Sequence, residues 1–350
     1  MKRRTRNYAK RQLTWMRKLH GLETIDVTEC RAVEVAREIA TRASWLGDAV
    51  PPAGRARPAA RASFPPVRFE KWQALGNDYV IVEAADLPFE LTPGRIRRLC
   101  APHTGVGSDG VLLLSPPPHP DLVAGLRIFN PDGSEAELSG NGARQAVLYL
   151  RRRGWTQEDE FEIETAAGRL RPCVTGESTC TVAMGRARLA SPDFPSGAED
   201  GRGELTAADR EFEFQHVQVG NPQCAIEVAE GLEDLDLMRY GAPIEHHELF
   251  PNRTNVSFWR RDAETEVTAR IFERGVGETL SSGTGASGAA IAAILRGARS
   301  PVTIHLEGGD LEVAVTDDLD VSLTGWAVPV LAGQLAAELV EELRVQEGAG

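Results

Sequence analysis

Residues 127–146, RIFNPDGSEAELSGNGARQA, and residues 270–289, RIFERGVGETLSSGTGASGA, are one unit written twice. Laid over each other without a gap, at an offset of 143 residues, they share nine identities in twenty positions. Self-similarity of this kind marks a duplicated supersecondary unit, because such a unit buries its apolar face against a copy or neighbour. In each copy a β-rich run, LRIFN or ARIFE, passes through a glycine-rich loop into Ser-Gly-x-Gly-Ala, which opens the apolar runs QAVLYLRRR and GAAIAAILRG. The spacing predicts a strand, a loop and a helix, with Ser139 and Ser282 each at a helix N-terminus. The duplication predicts an α/β (α+β) chain of two similar halves meeting at these loops.

The flanking sequence repeats the plan. VRFEKWQALGNDYVIVE and EFQHVQVGNPQCAIEV both alternate like strands around a turn, the first at Gly76-Asn77-Asp78 and the second at Gly220-Asn221-Pro222. Thr92 before PGRIRRLC has the chemistry of an N-cap followed by proline in the first turn. LEDLDLMRYGAPIEHH and the acidic AAELVEELRVQEGAG have helical character, and VTIHLEGGDLEVAVTDDLDVSLTGWAVPVLAGQL alternates as a β-meander. The Pro/Gly/Ser-rich stretch from Ala190 to Glu204 is the expected boundary between a first domain over 67–189, completed by a segment near 327–340, and a second over 190–326. Residues 46–66, LGDAVPPAGRARPAARASFPP, read as a Pro/Ala-rich linker, and residues 1–45 as a basic appendage.

Composition narrows the function. A chain of 350 residues, 42% hydrophobic and 26% charged, has material for roughly two domains of about 150 residues. Its longest apolar run, Gly288–Leu295, is far below the roughly 18–20 residues of a membrane span, and the N-terminus has no apolar signal core, so a cytoplasmic location is expected. The five cysteines, Cys30, Cys100, Cys173, Cys180 and Cys224, have no metal-binding CxxC spacing and do not make an even disulfide set. A net charge of −12 argues against a general nucleic-acid surface, although residues 1–20 carry eight Lys/Arg and no acid. With Tyr8 and Trp15 interleaved, that arm allows a weak phosphate contact; a solvated appendage is the alternative.

A glycine loop opening a helix offers unpaired N–H groups and the positive end of the helix dipole, which suits a carboxylate or phosphate. Neither copy carries the P-loop lysine or the dinucleotide fingerprint. A glycine turn that only packs helix on strand accounts equally well for one copy. Two copies at equal offset point instead to a site between the halves.

NPDGSEAELSGNGAR, ERGVGETLSSGTGA, ALGNDYVIVE, GVGSDGVLLL, VGNPQCAIEV and FPNRTNVSFW together resemble the diaminopimelate epimerase family over about residues 67–335. The resemblance implies two pseudo-symmetric domains, each a β-barrel-like sheet around a central helix, with the site in the cleft between them. It implies cofactor-independent epimerisation of an amino-acid substrate, LL- to meso-diaminopimelate, by α-proton removal on one face and delivery on the other. It places Ser139 and Ser282 in the acid/base positions, and Gly140, Asn141, Gly283 and Thr284 at the loop donors. Asn77, Asn130, Asn221 and Asn255 match substrate-binding asparagines, and Glu273-Arg274 a substrate-holding pair. A homodimer is the family expectation; neither a membrane nor a metal is implied.

The match departs from the family at its chemistry. The family has cysteine where this chain has Ser139 and Ser282, and usually histidine where it has Gln223. A helix N-terminus brings a thiol's pKa from about 8.5 toward neutrality, whereas a serine needs another group to take its proton. Engineered replacement, a diverged binding homologue and another reaction on the same scaffold, isomerase or dehydratase, all remain open. Separately, KRRTRNYAKRQLTWMRK with the following IDVTE resembles the C-terminal end of a bacterial tRNA dimethylallyltransferase over about residues 1–40. That implies either a fused remnant of a neighbouring gene or an over-extended start, in both cases without transferase chemistry.

Overall fold

The computed structural model describes residues 65–137 and 139–345. The basic appendage, its transferase resemblance, Cys30 and all but the last two residues of the linker lie outside the described residues.

Two mixed sheets carry the fold. The first runs Val328–Gln334, Arg68–Ala74, Asn77–Glu83, Val111–Ser115, Ala124–Phe129, Ile163–Thr165, Gly168–Leu170 in hydrogen-bonded order. The second runs Arg202–Ala207, Arg210–Val219, Asn221–Glu227, Asn255–Arg261, Glu266–Glu273, Val302–Leu306, Gly309–Val315, Asp320–Trp326, Thr179–Arg186, Cys173–Val174. Each sheet leaves two edges and neither closes, so the expected barrel-like sheets are open ones. Thr179–Arg186 precedes the boundary expected at 189/190, yet it pairs antiparallel with Asp320–Trp326 in the second sheet. Sheet membership depends on that distant partner, which local composition does not encode.

Five α-helices are seen among the described residues: α1 (Pro93–Cys100), α2 (Gly140–Arg153), α3 (Leu237–Glu245), α4 (Gly283–Leu295) and α5 (Ala337–Val345). The N-cap at Thr92 falls where the sequence puts it, and Asp236 caps α3. Helix α2 packs on Arg68–Ala74, Asn77–Glu83 and Val111–Ser115 of the first sheet, and also on Thr179–Arg186 of the second. Helix α4 is enclosed by the second sheet; Ala286, Ala289, Ala290, Ala292 and Ala293 are all fully buried. Small side chains keep it thin enough to be surrounded. Gly288 in particular leaves room for Gln223, whose Cβ would lie 2.9 Å from a methyl placed there. One hydrophobic core runs through both halves, from Trp72 and Leu112 to Ile271 and Leu323.

Most identities of the duplicated unit have a structural cause. Ala124–Phe129 pairs with the short strand Glu135–Ala136, as Glu266–Glu273 pairs with Gly277–Thr279. Arg127 reaches across its hairpin to Glu135 at 2.7 Å, and Arg270 makes the same ion pair with Glu278. Ile128, Phe129, Ile271 and Phe272 are core residues, as are Ala143, Ala146, Ala286 and Ala289. Ser139 and Ser282 cap α2 and α4, accepting from Gly142 N at 3.1 Å and Gly285 N at 3.2 Å. Glycine at 285 permits the close packing of helix on strand, since a Cβ would sit 2.8 Å from Ile271 Cγ2.

The halves also meet at Gly308, in the turn between Val302–Leu306 and Gly309–Val315. Its N–H donates to Leu280 O at 2.8 Å, and a Cβ would lie 2.2 Å from the carbonyl oxygen of Leu75 in the first half. Because that oxygen is backbone, it cannot swing aside. Gly308→Ala is expected to cost about 1–3 kcal/mol by overpacking, read as a lower denaturation midpoint at unchanged m-value. An unchanged midpoint would mean that this turn yields freely.

Candidate active site

The N-termini of α2 and α4 abut: a Cβ built on Gly140 would be 3.9 Å from the Gly283 Cα. Around this junction opens a cavity of about 740 Å³. Ser139, Gly140 and Asn141 line it from the first loop, and Ser282, Gly283 and Thr284 from the second. Asn77, Asn130, Asn221, Asn255, Glu273 and Arg274 also line it. Gln223 does not: it is fully buried behind the wall, where its side-chain nitrogen donates to Asn221 Oδ1.

Two positive helix ends therefore converge on one space. The N–H groups of Gly140, Asn141, Gly283 and Thr284 belong to the first turn and have no intrahelical acceptor. Such an arrangement suits a carboxylate.

The two serines differ chemically. Ser139 Oγ accepts from Gly142 N and also from Tyr79 Oη at 3.3 Å, so both lone pairs are engaged and its own hydrogen must point elsewhere. Tyr79 is a cavity residue that motif matching passed over; it stands two residues after Asn77 on strand Asn77–Glu83, hence on the same face. Burial pushes its phenol above the usual value, while the hydrogen bond with Ser139 pulls the other way. Ser282 Oγ lies 3.5 Å from Thr284 Oγ1 and acts on the Glu273 carboxyl. Burial raises that carboxyl above the ordinary range, and the Ser282 hydrogen bond partly offsets the rise. One serine is thus backed by a phenol at hydrogen-bond distance, and the other shares the cavity wall with a carboxylate.

The asparagines are held in different ways. Asn77 donates to Asp109 Oδ2 at 3.0 Å, which makes Asp109 a second lining residue not singled out from sequence. Asn130 donates to Ser134 Oγ at 2.9 Å. Asn255 is bound at both ends to backbone, giving Nδ2 to Pro222 O at 3.1 Å and accepting from Arg274 N at 2.9 Å. It fixes the Glu273–Arg274 turn, which Glu245 also holds by accepting from Gly275 N at 2.9 Å.

None of the described cysteines lines the cavity; Cys100, Cys180 and Cys224 are buried, and burial pushes their thiols up, that of Cys180 to about 12. No cluster of metal-ligating side chains occurs among the described residues, and no helix among them is long and apolar enough to cross a membrane.

A cleft between two mixed sheets, floored by paired helix N-termini, defines a two-domain fold that other isomerases share. The hydroxyproline epimerase from Agrobacterium vitis, solved with trans-4-hydroxy-L-proline, matches at a TM-score of 0.56 over 78% of this chain and 93% of that one. At 18% identity the likeness speaks for the fold alone. Sequence goes further. The diaminopimelate epimerase family profile matches residues 69–190 and 215–330. The diaminopimelate epimerase of Teredinibacter turnerae is 40% identical over 273 residues, 77% of this chain and 99% of that protein. That of Desulforudis audaxviator is 40% identical over 277 residues, again 77% and 99%. The chain belongs to the diaminopimelate epimerase family and is an isomerase of the epimerase type.

Proposed function

We propose that the cavity interconverts LL- and meso-diaminopimelate by two-base transfer of the α-proton, with Ser139 and Ser282 on opposite faces of the α-carbon. The observation that carries this reading is the convergence of two serine-capped helix N-termini on one cavity. An α-hydrogen of an amino acid is weakly acidic, and its removal spreads negative charge onto the carboxylate. Donors preset at that carboxylate stabilise the transition state more than the ground state. The loop amides of Gly140, Asn141, Gly283 and Thr284 meet this need. Serine replaces the family's thiol at both reacting positions, so each hydroxyl works through a neighbour: Ser282 passes its proton to Glu273, and Ser139 presents its hydrogen to the substrate under the hold of Tyr79 and Gly142.

In D₂O the protein is expected to exchange the substrate α-hydrogen while interconverting the LL and meso isomers. Neither process at high enzyme concentration would defeat the assignment. A second reading, an amino-acid-binding homologue without turnover, is favoured by the non-titrating Gln223 and the two hydroxyls. On that reading diaminopimelate raises the melting temperature without exchange.

A further inference from the structure

Arg144 is the fifth residue of α2, fully buried, and takes no part in the proton transfer derived above. Burying a guanidinium is costly unless it is paired and fully hydrogen-bonded. The protein meets that demand at its other fully enclosed arginine: Arg95 gives Nε to Leu343 O at 2.6 Å, Nη1 to Glu90 O at 2.7 Å and Nη2 to Arg344 O at 3.2 Å. Arg144 is treated differently. Its Nη2 donates to Asn141 Oδ1 at 2.5 Å, while Nε and Nη1 have no hydrogen-bond partner among the described residues. No carboxylate among the described residues pairs with it. Burial lowers its pKa to about 10, so it keeps its charge at neutral pH.

Its surroundings bring that charge to the site. A Cβ on Gly140, a residue of the cavity wall, would lie 3.8 Å from Nη1. On the other side the guanidinium rests against bare backbone of the second sheet, where a Cβ on Gly325 would be 2.9 Å from Nε. Among the described residues, the one acceptor it engages is the side chain of a cavity residue. Since a guanidinium only donates, the Asn141 oxygen must face it, which turns the amide nitrogen the other way, to Ser281 Oγ of the second loop at 3.4 Å.

We propose that Arg144 is a positioning residue for the epimerase reaction, holding the Asn141 NH₂ toward the second loop and cavity and placing an uncompensated positive charge behind the first loop. The charge stands where the substrate α-carboxylate becomes more negative as the α-proton leaves. This inference rests on the proposed function.

The test compares Arg144→Met and Arg144→Lys in the S139C/S282C background, where exchange is expected to be fastest, with folding checked by circular dichroism. Arg144→Met is expected to lower kcat for α-hydrogen exchange about tenfold or more with KM changed less than about threefold, and Arg144→Lys to recover part of the loss. A purely structural arginine would lower Tm and leave kcat per folded molecule unchanged; kcat within about twofold of the parent in Arg144→Met overturns the proposal. Should Arg144→Met not fold, an unchanged kcat in Arg144→Lys does the same. If the parent itself exchanges no hydrogen, the proposed function has failed, and NMR of the Asn141 side-chain amide decides the positioning role without substrate. Faster solvent exchange of that amide in the Arg144 variants supports it, and equal exchange overturns it.

Discussion

Changing Ser139 and Ser282 together to cysteine is expected to raise α-hydrogen exchange by about 10²- to 10⁴-fold, the range that a well-matched acid/base pair contributes. Cysteine adds polarisable sulfur at an unchanged place: both serines already cap their helices, accepting from Gly142 N and Gly285 N. A thiolate there would take the same N–H donors and the same helix dipole, which bring its pKa toward neutrality. The scaffold needs no other change, because Ser139 and Ser282 already line the cavity beside the loop donors. Each single substitution is expected to give much less than the pair, since epimerisation needs a proton acceptor on one face and a donor on the other. Proton NMR in D₂O, following LL and meso isomers separately, reads both faces. Equal rates in the parent and the double variant would show that the serines are not limiting, and that Glu273 and Tyr79 already supply what thiols would.

How far the sequence reaches can be judged residue by residue. The duplicated unit was readable because its constraints are local: a cross-hairpin pair eight residues apart, Arg127 with Glu135, a capping serine three residues before its donor, and alanines at helical spacing. Family motifs carried twelve residues onto the cavity wall, Asn77 through Thr284. They could not separate contact from support. Asn255 reads as one more substrate asparagine, and backbone takes one donor and one acceptor site of its amide while the residue stays on the cavity wall. Gln223 stands two residues after Asn221 and on the same face of strand Asn221–Glu227, but it is fully buried against Gly288 of α4 and off the cavity wall. The pairing of Thr179–Arg186 with Asp320–Trp326, the phenol behind Ser139 and the unpaired guanidinium of Arg144 depend on contacts distant in sequence or on missing partners. No periodicity carries such information. The first expected turn also sits earlier than motif reading places it: Leu75 and Gly76 both adopt left-handed conformations, and Asn77 already belongs to the strand. That shift is what brings the Asn77 side chain to the wall.

Glu273→Gln is expected to separate activity from stability. Glutamine keeps the shape and can still accept the Ser282 hydroxyl, but it cannot take the proton, so exchange in the serine protein should fall by roughly a hundredfold as a general base is lost. Stability should move the other way. Burial raises the Glu273 carboxyl above its ordinary value, which means that folding disfavours the charged form. The sign follows by linkage: below the ordinary carboxylate range both folded and unfolded chains hold the proton and nothing is lost. Between the ordinary and the raised value the unfolded chain ionises first, and above the raised value the full penalty stands. The glutamine variant should therefore melt above the parent at neutral pH, with the difference shrinking as the pH falls into the ordinary carboxylate range. Thermal melts across that interval measure it, and a constant difference would refute the burial account. The same substitution in the S139C/S282C protein should cost much less activity, because a thiol activated by its own helix N-terminus has less need of a carboxylate to receive its proton. A loss of equal size in both backgrounds would place Glu273 on the substrate instead of behind Ser282.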